Sequence, residues 1–205
     1  MSISETGTHR PILRRLSPVV ILLAAMWLIH FVDFVLPFVT FTGLGLLSWS
    51  VPGMLGILTA PLLHAGWPHL LSNTVPFLIL GALICWESGR RFWTATAIIA
   101  LVGGLGTWLV AVPGTLTVGA SGLVFGYFAY LIARAFFAPK SPHRLGWLVL
   151  AVILGLVYGG AMLQGLAPWQ FGVSWQGHLF GAIGGVVAAW LLYRRSAPKV
   201  LGAAG

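Results

Sequence analysis

Apolar residues dominate the chain in six long segments, each bounded by polar residues or by glycine and proline. The segments run from about Pro18 to Phe38, Pro68 to Trp86, Phe92 to Val112, Val118 to Phe137, Leu145 to Leu163 and Ser174 to Tyr193. Each is close to the ~20 residues that an α-helix needs to cross a bilayer. The pattern predicts an all-α membrane protein, a multi-pass bundle of six transmembrane helices.

Between the first two segments, residues 38–66 are apolar but interrupted by several glycines and prolines. Irregular backbone at membrane depth is tolerated only where it packs against protein. We therefore expect a long outer loop between helices 1 and 2, partly helical and lying at the membrane interface.

The composition excludes a water-soluble domain. Of the 205 residues, 59% are hydrophobic and only 7% are charged, whereas a soluble domain carries about 25% charged residues. The net charge of +8 does not indicate a nucleic-acid partner, because the basic residues cluster at the ends of the apolar segments. That distribution is typical of topology signals in a protein whose partner is the lipid bilayer.

The eleven Lys and Arg residues give the orientation. They fall in the N-terminal tail, after the second segment, at the end of the fourth segment and its loop, and in the C-terminal tail. With six spans, all four places lie on one side, and the positive-inside rule then puts both termini in the cytosol. This predicts a short cytosolic tail over residues 1–16, a six-helix domain over 17–195 and a second cytosolic tail over 196–205.

Among the polar residues inside the apolar segments are Ser121, His178, His69 and Asn73. Polar groups are costly inside the bilayer and mark functional sites by default. From Ser121 to Arg134, the basic residue near the end of the same segment, the chain rises ~20 Å at 1.5 Å per residue. Similar counts on the other segments put all four polar residues in the outer half of the membrane. We predict that they meet in one water-filled cavity open to the outer face.

Ser121 and His178 carry the parts needed for acyl transfer. A glycine-flanked serine at the start of a helix can act as a nucleophile, and a neutral imidazole can take its proton. Taken alone, each is more often a packing residue. The acids of the chain, Glu5, Asp33 and Glu87, are not expected at this depth. The sequence therefore predicts a Ser–His dyad without a third acid.

His69 and Asn73 lie four residues apart, on one face of the second predicted helix. Both can donate hydrogen bonds to a developing oxyanion, although an interhelical hydrogen bond is the simpler alternative. His64, His69 and His178 are also three nitrogen ligands for a metal ion, but no carboxylate accompanies them and they lack a His-Glu-x-x-His pattern. No metal and no other cofactor is expected, and His64 is interpreted as a loop-packing residue.

Glycines recur every four residues beside both dyad members. Gly122 and Gly126 follow Ser121, and Gly177, Gly181 and Gly185 surround His178. Small residues at this spacing allow membrane helices to approach closely. The fourth and sixth predicted helices should therefore touch along the faces that carry the serine and the histidine.

Three motifs together resemble the rhomboid intramembrane serine proteases. In family order they are His-Ala-Gly-Trp-Pro-His-Leu-Leu-Ser-Asn at 64–73, Gly-Ala-Ser-Gly at 119–122 and Gly-His-Leu-Phe-Gly at 177–181. The six-span layout with a long first outer loop also resembles the family, so the likeness covers nearly the whole chain. One departure is the absence of a clear Trp-Arg pair in the first outer loop.

The resemblance implies a protease that cuts the transmembrane helices of single-span or multi-span membrane proteins near their outer ends. It implies Ser121 as nucleophile, His178 as base, and an oxyanion hole made by His69, Asn73 and the Ser121 amide. Residues that support this site are Gly119, Gly122, Phe125 and Gly181.

Phe125 stands where many bacterial members have a tyrosine, four residues after the serine, and should stack on His178. Glu87 resembles an acidic residue that members carry at the end of that helix, with a structural role. We expect the protein in the bacterial cytoplasmic membrane. The alternative is an inactive rhomboid-like protein that binds membrane clients, and a transporter is disfavoured because the chain has no internal repeat.

Overall fold

The computed structural model describes residues 12–36, 38, 40–138 and 143–194. Seven α-helices account for most of these residues. They are α1 (Ile12–Val35), α2 (Gly56–Thr59), α3 (Trp67–Glu87), α4 (Gly89–Val110), α5 (Ser121–Phe137), α6 (Arg144–Gly165) and α7 (Trp175–Arg194). Short 3-10 helices cover Phe41–Leu44, Pro52–Leu55 and Ala60–Leu62, and strands β1 (Leu46–Leu47) and β2 (Leu116–Thr117) form a small sheet.

Five of the helices are long and apolar enough to cross a membrane: Arg14–Val35 of α1, and α3, α4, α6 and α7 in full. Helix α5 is apolar but has only 17 residues, which is ~25 Å of helix. It packs against α3, α4, α6 and α7, so most of its surface faces protein. The mainly helical membrane fold is confirmed, and five of the six predicted spans are long enough to cross a bilayer.

The first helix begins earlier than the predicted boundary at residue 17. Helix α1 already includes Ile12 and continues through Pro18. Proline has no N–H with which to bond the carbonyl four residues earlier, which here is that of Arg14. The hydroxyl of Ser17 donates to that Arg14 carbonyl at 3.0 Å. Residues 1–11 of the predicted N-terminal tail, with Glu5, and residues 196–205 of the predicted C-terminal tail lie outside the described residues. Residues 37, 39, 139–142 and 195 do so as well.

Helices α5 and α7 meet backbone to backbone, as the glycine spacing predicted. A Cβ atom at Gly181 would lie 2.2 Å from the carbonyl oxygen of Gly122, and one at Gly185 would lie 2.0 Å from that of Gly126. A Cβ atom at Gly122 would lie 3.2 Å from the oxygen of Gly177. Larger residues would force these helices apart, so the glycines bring the faces of Ser121 and His178 together.

The loop between α1 and α3 is partly helical, as expected, and it is fastened to the segment that leads to Ser121. Strands β1 and β2 pair antiparallel, with Leu46 opposite Thr117. The indole N–H of Trp49 donates to the Ala111 carbonyl at 3.2 Å, and that of Trp108 donates to the Ser50 carbonyl at 2.9 Å. The two indoles stack with centroids 6.0 Å apart. These contacts anchor the loop without a Trp-Arg pair.

At the opposite end of the bundle from Ser121, an ionic cluster centred on Glu87 of α3 joins five helices. Its carboxylate pairs with Arg134 of α5 at 2.6 Å and with Arg91 of α4 at 2.8 Å. The hydroxyl of Tyr193 from α7 donates to the same carboxylate. The guanidinium of Arg134 also lies 3.2 Å from the ring centroid of Trp147 on α6. This network supports the structural role expected for Glu87.

Candidate active site

Ser121 is the first residue of α5 and is half-buried. The preceding turn is held by the amide of Gly119, which donates to the Ala60 carbonyl at 2.9 Å. The first amides of an α-helix have no intrahelical partner, and the helix dipole makes this end positive. Ser121 therefore lies where backbone N–H groups can donate hydrogen bonds to a negatively charged oxygen.

The backbone before Ser121 leaves room for only a glycine at position 119. Gly119 has a φ of +117°, in the left-handed region that other residues rarely adopt. A Cβ atom there would lie 2.5 Å from Cε1 and 2.6 Å from Nε2 of His69. The edge of the His69 ring thus packs directly on the backbone two residues before Ser121.

His69 and Asn73 lie one turn apart near the start of α3. Asn73 is buried, and its side-chain amide donates to the His69 carbonyl at 2.9 Å. The Ser72 hydroxyl donates to the same carbonyl at 2.9 Å. An amide group has two N–H donors, so Asn73 can hold its own helix turn and still offer a donor to a ligand.

His178 lies in the first turn of α7, and its ring is held on two sides. Phe125 stacks on it, with ring centroids 4.0 Å apart and planes inclined by 9°. Its Nδ1 lies 2.7 Å from the carbonyl oxygen of Gly165. A carbonyl oxygen can only accept, so Nδ1 carries the hydrogen and a neutral ring has its lone pair on Nε2. The stacking expected of Phe125 is confirmed.

One cavity of about 710 Å³ brings the four predicted polar residues together. Ser121, His178, His69 and Asn73 all line it, as does Ser72. A smaller, mostly apolar cavity of about 60 Å³ lies beside it, and Ser121 lines both. The arrangement presents a hydroxyl, an imidazole and several hydrogen-bond donors to one water-accessible volume.

Acidic side chains of the described residues are used elsewhere. Asp33 accepts a hydrogen bond from the amide of Phe41 at 2.9 Å, which fixes the start of the loop between α1 and α3. Glu87 belongs to the ionic cluster. Within the described ranges, no group of three His, Cys, Asp or Glu side chains is placed to hold a metal ion.

The Gly165 carbonyl is one site group that the sequence did not predict. No sequence signal identifies it, because the contact is made by main-chain atoms. Ser174 was missed as well. Its hydroxyl accepts a hydrogen bond from the amide of Gly177 at 3.2 Å, and its carbonyl accepts one from the amide of His178 at 3.1 Å. Both contacts hold the first turn of α7 in place.

His64 packs behind His69, as expected of a loop-packing residue. It is 2% exposed, and the two ring centroids are 5.1 Å apart in an edge-to-face arrangement. Burial, together with the neighbouring imidazoles of His69 and His30, lowers the pKa of His64 from 6.5 to about 4. The ring is therefore neutral in the folded protein across the physiological range.

Acid should destabilise the protein through His64. Between about pH 6.5 and pH 4 the unfolded chain binds a proton that folded His64 does not, so the free energy of unfolding falls as the pH falls. A pKa lowered from 6.5 to about 4 corresponds to roughly 3 kcal/mol. In thermal unfolding of the detergent-solubilised protein, His64→Leu should flatten the pH dependence over this window. Curves for wild type and variant that stay parallel from pH 8 to pH 4 would contradict the assignment.

Comparison with known proteins shows which family the chain resembles. The sequence model of the Rhomboid domain family matches residues 52–195. An uncharacterized protein of Mycobacterium tuberculosis is 45% identical over 163 residues, covering 76% of this chain and 65% of that protein. One of Mycobacterium leprae is 40% identical over 206 residues, covering 95% and 78%. Rhomboid-like protein 11, chloroplastic, of Arabidopsis thaliana is 33% identical over 158 residues, covering 70% and 54%.

Apolar helices of spanning length around a polar cavity define a multi-pass integral membrane protein. The chain belongs to the rhomboid family, because the domain model covers more than half of it and it aligns with the plant rhomboid-like protein over 70% of its length. It spans 65% of the length of its Mycobacterium tuberculosis relative.

Proposed function

We propose that the protein is an intramembrane serine endopeptidase that cuts the transmembrane helices of other membrane proteins. The observation that carries the proposal is the shared cavity, which is lined by Ser121, His178, His69 and Asn73. Membership of the rhomboid family supports the same reaction class.

In this reaction, the Ser121 Oγ attacks the carbonyl carbon of the scissile peptide bond. Its proton passes to the lone pair on Nε2 of His178, and an acyl-enzyme forms when His178 returns that proton to the leaving amine. A water molecule from the cavity then hydrolyses the ester, with His178 acting as base again. Phe125 and the Gly165 carbonyl hold the imidazole during both steps.

The negative charge that develops on the substrate carbonyl needs donors. We assign this role to three groups: the Ser121 amide at the start of α5, the His69 ring and the Asn73 side chain. Their support is that the two side chains line the cavity and that the His69 ring packs on Gly119. Preorganised donors of this kind stabilise an oxyanion strongly in a low-dielectric site.

The proposed topology has six spans, with both termini in the cytosol of a bacterium. Arg134 in the last turn of α5 and Arg194 at the end of α7 lie at the helix ends opposite the cavity. Helix α5 is ~25 Å long and the hydrocarbon core is ~30 Å thick. If the Arg134 end of α5 lies at the inner boundary, Ser121 at its other end lies below the outer surface. Cleavage should then occur in the outer half of a substrate helix.

One property of the substrate helix and one feature of the site set the expected substrate preference. A peptide bond within a helix is shielded by the helix hydrogen bonds, so residues that form helices weakly, such as glycine and proline, should promote cleavage. The cavity of about 60 Å³ beside Ser121 is lined in part by Gly104, Gly122 and Ile57. A space of this size suits a small side chain before the scissile bond.

The test is cleavage of a model single-span substrate by the purified protein in liposomes, with the cut mapped by mass spectrometry. We expect a cut in the outer half of the helix, after a small residue, and fluorophosphonate modification of Ser121. A matched substrate with leucine in place of the helix-weakening residues should be cut more slowly. Retained substrate binding with neither cleavage nor labelling would overturn the proposal and favour a client-binding protein.

A further inference from the structure

We propose that the backbone carbonyl of Gly165 is a positioning group for His178, an inference that rests on the proposed function. The carbonyl oxygen lies 2.7 Å from Nδ1 of His178 and accepts its hydrogen. Because the hydrogen is held on Nδ1, the Nε2 lone pair stays available to take the serine proton. In a Ser-His-Asp triad a buried carboxylate holds the imidazole in this tautomer and orientation. Here a main-chain carbonyl at the end of a helix holds the imidazole in that tautomer and orientation.

The carbonyl is available because of where α6 stops. Gly165 is the last residue of that helix, and the last four carbonyls of an α-helix have no intrahelical partner. The following amides turn back on other residues. The Leu166 amide donates to the Leu163 carbonyl at 3.2 Å, and the Ala167 amide donates to the Gln164 carbonyl at 3.0 Å. The Gly165 oxygen thus faces His178.

The close approach is specific to position 165. A Cβ atom on Gly165 would lie 2.5 Å from Cζ of Phe125 and 3.0 Å from Nδ1 of His178. Cβ atoms on Gly159 and Gly160 of the same helix would have no neighbour within 4 Å. A side chain at 165 would displace the stacked pair, whereas side chains at the other two positions would meet open space.

The same contact ties the base to the position of α6. Leu154 and Met162 are the buried residues of α6, and Trp147 joins its other end to Arg134. Any movement of the outer end of α6 away from α7 would break the bond from His178 to Gly165.

The first test reads the tautomer without needing activity. In protein labelled with ¹⁵N at its six histidines, the resonances of His178 are assigned by their loss in His178→Gln. Both ring nitrogens should report a neutral ring with hydrogen on Nδ1. A hydrogen on Nε2 would overturn the proposal. This measurement stands whether or not the protein proves to be a protease, so the two failures are distinguishable.

The second test weakens the acceptor. Replacing Leu166 by its α-hydroxy acid turns the Gly165 carbonyl into an ester carbonyl, which is a weaker acceptor. The same change at Ala167 is the matched control, because it also removes one turn N–H but leaves the Gly165 amide carbonyl intact. The Leu166 ester should shift the His178 Nδ1 resonance and lower kcat about two- to tenfold with KM unchanged. Equal spectra and kinetics for the two esters would overturn the proposal.

A side-chain variant tests the same contact by crowding. Gly165→Ala should lower kcat by about 10- to 100-fold, because misplacing a catalytic group by about 1 Å costs on this order. Gly160→Ala is its control and should retain wild-type kcat. Unfolding curves measured in parallel show whether both variants are folded. Equal kcat for the two folded alanine variants would overturn the proposal.

Discussion

Ser121→Ala should abolish substrate cleavage, lowering kcat by about 10⁴- to 10⁶-fold. The effect is this large because the proposed covalent step depends on the Ser121 hydroxyl. Ser72 lines the same volume, but its hydroxyl is committed to the His69 carbonyl at 2.9 Å. The measurement is the initial rate of cleavage of the single-span substrate, with fluorophosphonate labelling as a second readout.

Ser72→Ala is the matched control for this prediction. It removes a hydroxyl from the same cavity but leaves Ser121 in place, so cleavage and labelling should stay within a few-fold of wild type. Ser121→Ala should unfold at the same temperature as wild type, since the side chain is half-buried and loses one oxygen atom. Cleavage that persists in Ser121→Ala would show that another group performs the reaction.

Much of the fold follows from sequence because lipid imposes strong constraints. The predicted helix at Pro68 to Trp86 is observed as Trp67–Glu87, and that at Leu145 to Leu163 as Arg144–Gly165. Long apolar runs have few alternatives to a helix in a bilayer. The fourth helix was predicted from Val118 and starts at Ser121. Gly119, with its φ of +117°, cannot belong to a right-handed helix.

The candidate site could be predicted as far as it consists of distinctive side chains. Polar residues at helix positions in an apolar sequence stand out, and the glycine spacing correctly indicated that α5 and α7 touch. Contacts made by main-chain atoms could not be predicted. The Gly165 carbonyl and the indole-to-carbonyl bonds of Trp49 and Trp108 depend on where loops return in three dimensions.

Removing the charge of Glu87 should destabilise the fold severely. Glu87 and Arg134 are 5% and 7% exposed, and their side chains are 2.6 Å apart. Breaking a buried ion pair by removing one partner costs about 3–5 kcal/mol, since the remaining charge is left without compensation. Glu87→Gln keeps the shape of the side chain and should lower the free energy of unfolding by that amount. Reversible denaturation in mixed micelles measures it.

The loss in the free energy of unfolding shows whether the ion pair behaves as a buried or as an exposed pair. An exposed pair would contribute only about 0–1 kcal/mol, and Arg90→Gln, a change on the exposed residue next to Arg91, should fall in that range. The double variant Glu87→Met/Arg134→Met removes both charges and should recover much of the stability, because apolar replacement of a buried pair is often neutral. A loss for Glu87→Gln no larger than that for Arg90→Gln would contradict the prediction.

The cluster lies ~20 Å along α5 from Ser121, so the folded fraction of Glu87→Gln should cleave at the wild-type rate. Stability and catalysis are thus separable at the two ends of one helix.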